Sequence, residues 1–71
     1  MADVVFVEEL TRGRPRAWTV RDRETGEVLG GVEWLERFGA HGFGAAPGVA
    51  AFSDPTVMRE VGRFLDEVND A

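Results

Sequence analysis

The sequence predicts an α+β fold: a three- to four-stranded antiparallel β-meander packed on one face by a C-terminal α-helix. Three observations carry that prediction. Apolar residues alternate with period two on both sides of a glycine-closed turn, Arg23-Glu-Thr-Gly26. An N-terminal β-branched run is too short for a helix. The C-terminal part carries apolar residues at helical spacing behind an Asp-Pro start. A chain of 71 residues supports one hydrophobic core, because two would each be too small to offset chain entropy, so a single domain over residues 1–71 is expected.

Residues 4–10 are β-branched and aromatic at their start and read as the first strand. Gly13 and Pro15 then break the pattern, and because proline has no amide to give a ladder, pairing resumes after it. Residues 16–22 and 27–34 are the arms of a hairpin whose turn reads as type I, with Gly26 left-handed as a G1 bulge. The register that follows sets Trp18 opposite Val32, Val20 opposite Gly30 and Asp22 opposite Val28. It gathers Trp18, Val20, Val28, Val32 and Trp34 on one face, and Ala17, Thr19, Arg21, Leu29, Gly31 and Glu33 on the other. Residues 35–38 allow one helical turn stopped by Gly39 or the tip of a second hairpin. The hairpin is preferred. It makes residues 40–46 a fourth strand ended by Pro47-Gly48, with residues 49–52 an extended lead-in to the helix.

Asp54 is the expected N-cap, since Pro55 then occupies the first helical position, where a missing amide costs nothing. A Ser53 cap, with Phe52 stapled onto Val57, is the alternative. Val57, Met58, Val61, Phe64, Leu65 and Val68 form one apolar stripe opposite Arg59, Glu60, Arg63, Asp66 and Glu67. Gly62 falls inside that stripe, although mid-helix glycine costs about 1 kcal/mol relative to alanine. Close approach of helix to sheet is therefore expected there, over Trp18 or Trp34, and both indoles are expected beneath the helix, sealed from water.

Eight basic residues against thirteen acidic ones give a net charge of −5, which disfavours a polyanion as the main partner. The distribution is uneven. Residues 11–23 hold Arg12, Arg14, Arg16, Arg21 and Arg23 against Asp22 alone, a local +4 that leaves −9 for the remainder. Every base is arginine, and lysine, isoleucine, tyrosine and glutamine are absent, a bias that fits a GC-rich genome or adaptation to high salt. Cysteine is absent too, which excludes disulfides and thiolate chemistry and fits a reducing compartment. No apolar run approaches the roughly 20 residues of a membrane span, and the first residues lack a basic flank or cleavage site, so no membrane association and a cytoplasmic location are expected.

The chemistry-bearing residues are sparse. His41 is the only imidazole, and one nitrogen ligand with Glu33 and Glu36 makes a poor transition-metal site. Gly39, Gly42 and Gly44 lack the lysine and hydroxyl of a phosphate loop and have no helix directly behind them. Ser53 has no histidine in sequence range to activate it, and Glu8-Glu9 and Asp66-Glu67 read as solvated surface. No catalytic residue, metal or cofactor is assigned, and the chain is not expected to be an enzyme.

The run from Trp18 to Gly30, followed by Phe52-Ser-Asp and an amphipathic helix, resembles small uncharacterised proteins of phages, prophages and mobile gene cassettes. The strand-turn-strand-then-helix outline is also similar to the arm-type DNA-binding domains of tyrosine recombinases, whose three-stranded sheet reads DNA. This resemblance implies nucleic-acid contact but transfers no functional residue, and the chain departs from those domains in its net acidity and lysine-free helix. The expected function is a protein-binding or accessory module, self-associating as a homo-oligomer, most simply a dimer. Its candidate interaction surface is Arg12, Arg14, Arg16, Arg21, Arg23 and Leu29, with Leu29, Val5 and Val7 supplying the second sheet face. The alternative is nucleic-acid binding through the arginine-rich hairpin, Arg12 to Arg23.

Overall fold

The computed structural model describes residues 3–49 and 54–70. Four strands, β1 (Val4–Glu9), β2 (Ala17–Asp22), β3 (Val28–Leu35) and β4 (Ala40–Ala45), form one antiparallel sheet in the order β1-β2-β3-β4, and the helix α1 (Pro55–Asn69) packs on it. The α+β class and the meander are as the alternation and the turn residues predict.

Each connection has a local cause. Between β1 and β2, Gly13 takes a left-handed conformation (φ 68°) and the Arg14 amide donates to the Thr11 carbonyl. Between β2 and β3, the Asp22 carboxylate accepts from the amides of Glu24 and Thr25 while Gly26 is left-handed (φ 78°). The β3–β4 loop repeats that geometry. Gly39 (φ 63°) donates to the Leu35 carbonyl, so residues 36–39 make a single helical turn inside a hairpin tip. Both readings of residues 35–38 thus describe one structure.

Pairing sets Trp18 opposite Val32 and Val20 opposite Gly30, as expected, but Arg21 rather than Asp22 lies opposite Val28. The reason is local: the Asp22 amide donates to the Glu27 carbonyl, which fixes Asp22 against Glu27 and closes a four-residue loop. The extra residue is then absorbed between Val20 and Arg21, where Leu29 has no partner opposite. This bulge reverses the two side chains concerned. Leu29 is buried in the core, and Val28, opposite Arg21, stands exposed on the other face.

Val4, Trp18, Val20, Leu29, Val32, Val57 and Val61 form the core, with Phe6, Phe43, Phe64, Leu65 and Val68 packed against it. Phe64 stacks on Phe6 with centroids 4.0 Å apart and meets Trp18 edge-on at 5.0 Å, so one helical ring ties together the first two strands. Asp54 caps the helix, its Oδ1 accepting from the amides of Thr56 and Val57, with Pro55 at the first helical position. The Ser53 cap and the Phe52 staple lie outside the described residues.

Two expectations about the packing are corrected. Gly62 is exposed, and a Cβ built on it meets nothing within 4 Å, so it does not mediate close approach. The close approach is at Gly30, where a Cβ would collide with the Gly44 carbonyl oxygen and lie 2.7 Å from the Phe43 ring. Trp18 is buried as expected, but Trp34 is 40% exposed. It shares the helix-covered face by register, yet pairs with His41 at the end of the sheet where α1 terminates.

Candidate functional site

The arginines are placed by the hairpin they belong to, and the hairpin separates them. Arg12, Arg14 and Arg16 lie at the end of the sheet that holds the β1–β2 loop, whereas Arg21 and Arg23 lie at the opposite end beside the β2–β3 turn. Arg16 makes a two-pronged pair with Glu8, its Nε 2.7 Å from Oε2 and its Nη2 2.8 Å from Oε1, and its guanidinium stands 4.9 Å from the Trp18 ring centre. The hydrogen bonds from Arg16 hold the Glu8 carboxyl below its ordinary range, and Glu8 in turn raises Arg16. Arg23 pairs with Asp3 at 2.6 Å, and Arg21 donates to the Gly26 carbonyl at 2.8 Å. Arg12 and Arg14 are exposed and make no ion pair or side-chain hydrogen bond among the described residues. The five guanidiniums therefore do not form one patch.

Leu29, the apolar member of the expected surface, is 8% exposed and belongs to the core. It is replaced on the uncovered face by Val28. By register that face carries Val5, Val7 and Glu9 on β1; Ala17, Thr19 and Arg21 on β2; Val28, Gly31, Glu33 and Leu35 on β3; and Ala40, Gly42 and Gly44 on β4. No described element covers it. The small residues leave a shallow hollow of about 310 Å³ above Ala17, Gly31 and Gly44, bordered by Glu33. Thr19 donates to Glu9 across the β1–β2 pair. The signal that would have placed Val28 here was the Asp-x-x-Thr-Gly sequence, whose aspartate can fix its own pair and displace the bulge.

His41 lies on the other face and is structural. Its Nε2 donates to the Arg16 carbonyl at 2.8 Å, and its ring stands edge-on to both Trp18 and Trp34 at 5.4 Å. Its Nδ1 is buried without a hydrogen-bond partner among the described residues. No group of three or more histidine, cysteine, aspartate or glutamate side chains converges as a metal site among the described residues. Gly42 and Gly44 are strand residues, not parts of a loop that could wrap a phosphate.

A second surface lies at the sheet end that carries the β1–β2 and β3–β4 loops. Leu10 (86%) and Phe38 (72%) are its most exposed apolar groups, and Trp34 borders a hollow of about 330 Å³ with Thr11, Arg14, Pro15, Ala17 and Glu33. No described helix is long and apolar enough to cross a membrane. No protein-family model, curated protein or solved structure matches the chain.

Proposed function

We propose that the chain is a non-catalytic protein-binding module that self-associates through the uncovered face of its sheet. The observation that carries this reading is the composition of that face: Val5, Val7, Val28 and Leu35 surround a floor of glycine and alanine, while the helix is packed on the opposite side. An antiparallel sheet with one face on the core normally presents alternating polar residues on the other. Here Glu9, Thr19, Arg21 and Glu33 are interspersed with four apolar side chains and a floor of small residues, a partly apolar surface suited to burial against another protein. Light scattering coupled to size exclusion tests it: a dimer or larger species is expected at high concentration, and a strict monomer up to millimolar concentration removes self-association.

A second reading, nucleic-acid binding, is supported by one observation. Arg12 and Arg14 project from the β1–β2 loop, and Arg14 borders the hollow beside the half-exposed Trp34, which together offer charge and a stacking ring. It predicts retardation of DNA or RNA that weakens steeply with salt and is lost in an Arg12/Arg14/Arg16→Ala triple variant. Absence of retardation at low salt ends it.

A further inference from the structure

Arg21 and Glu33 are both exposed on the uncovered face and cannot reach each other. They sit on adjacent strands but two rows apart: Arg21 pairs with Val28, whereas Glu33 lies beyond Gly31 on β3, about 14 Å away along the strand. Arg21 spends one N–H on the Gly26 carbonyl, and Glu33 has no hydrogen bond or ion pair among the described residues. Between them is the hollow floored by Gly31 and Gly44, and a Cβ built on Gly44 meets nothing within 4 Å.

We infer that the occupant of this face is a second copy of the chain, docked sheet to sheet about a twofold axis that lies in the interface and crosses the strands nearly at right angles. The inference rests on the self-association proposed above. Rotation about that axis exchanges the two ends of the strands, so Arg21 of each copy comes opposite Glu33 of the other and two equivalent pairs form together. The same rotation carries Val28 over the glycines of the other copy's β4 and turns Leu35 towards its Val5. The two sheets then run nearly antiparallel, which is the aligned arrangement that stacked sheets adopt.

The other simple choice, an axis along the strands, is disfavoured by charge. It sets Arg21 against Val28 and Glu33 against Ala17, burying four charges without partners. The area limits the strength. Four strands of about six residues span roughly 400 Å², half of the roughly 800 Å² per partner in a standard interface, so the dimer dissociates in the micromolar range or above.

Sedimentation equilibrium up to millimolar concentration, on the wild type, Arg21→Glu, Glu33→Arg and the double reversal, tests the arrangement. Each single reversal should weaken association by at least about tenfold, because it places like charges together at two symmetric positions, and the double reversal should restore it. Gly44→Gln, which plugs the hollow in open space, should weaken association while leaving the melting temperature unchanged. Single reversals that associate like the wild type, or a double reversal that fails to recover, overturn the twofold pairing and leave self-association standing. A wild type that is monomeric throughout overturns both and gives the face to a partner of different sequence.

Discussion

Asn69 closes both backbone groups of His41. Its Oδ1 accepts from the His41 amide at 2.7 Å and its Nδ2 donates to the His41 carbonyl at 3.1 Å, so a side chain at the end of the helix pairs with the edge strand as a neighbouring strand would. His41 lies opposite Trp34, and in an antiparallel ladder residues alternate between facing the partner strand and facing outward. The carboxamide therefore occupies part of an edge that is otherwise open to other chains. It also fixes where the helix ends on the sheet, and so where Trp34 emerges from cover.

Asn69→Ala should destabilise the fold by about 1–3 kcal/mol, the cost of two hydrogen bonds at a partly covered site. Asn69→Asp keeps the acceptor and loses the donor, so its loss should be intermediate. Amide exchange separates this local role from general destabilisation: protection at His41 should fall more than protection at Val32, in the middle of β3.

Two glycines should respond in opposite directions to the same substitution. Gly62→Ala places a methyl in open solvent on a helix interior, and the gain in helix propensity should stabilise the fold by about 1 kcal/mol. Gly30→Ala drives a methyl against the Gly44 carbonyl and the Phe43 ring, and should cost about 1–3 kcal/mol through overpacking. Thermal melts check both. Equal and small shifts would mean that Phe43 does not seat over Gly30.

The contrast shows which parts of the fold could be read from the chain. Strand and helix limits followed from Pro15, Gly26, Gly39 and Asp54-Pro55, because these residues act within a few positions of themselves. The face of Leu29 did not follow, since the hydrophobic pattern 28–34 fits either valine or leucine inward, and a single hydrogen bond from the Asp22 amide decides between them. Gly62 differs for a related reason: its spacing from Met58 and Leu65 reads as membership of the stripe, but it stands at the edge of the helix's covered face, and the tilt of the helix on the sheet leaves that edge in solvent. A second partly apolar sheet face is legible in the alternation, but the bulge turns Leu29 into the core, and an arginine run continuous in sequence is divided because a hairpin sends its two ends apart.

Acid should weaken the link between β1 and the start of β2. Arg16 holds the Glu8 carboxyl below its ordinary value of 4.5 in the folded chain. A carboxyl depressed by folding stabilises the fold fully above its unfolded value, and the contribution is lost as pH falls through the lower folded value. Stability measured by denaturant from pH 6 downward should therefore decline more gently in Glu8→Gln than in the wild type below about pH 4.5. The pair is solvent-exposed, so the difference should also shrink in high salt. Identical acid limbs would show that the pair contributes nothing to folding.

The two tryptophans should be separable by a neutral quencher. Trp18 is 7% exposed, enclosed by Phe64 and His41 with Arg16 above it, whereas Trp34 is 40% exposed at the end of the sheet. Acrylamide should quench the wild type in two components, and Trp34→Phe should leave only the shielded one. This measurement also reports on the interface. Trp34 shares the helix-covered face by register, so association through the opposite face should leave an accessible component as protein concentration rises, reduced at most where the ring borders Glu33. If the accessible component instead disappears on concentration, the copies meet at the end of the sheet around Trp34, Leu10 and Phe38, and the valine face is not where they join.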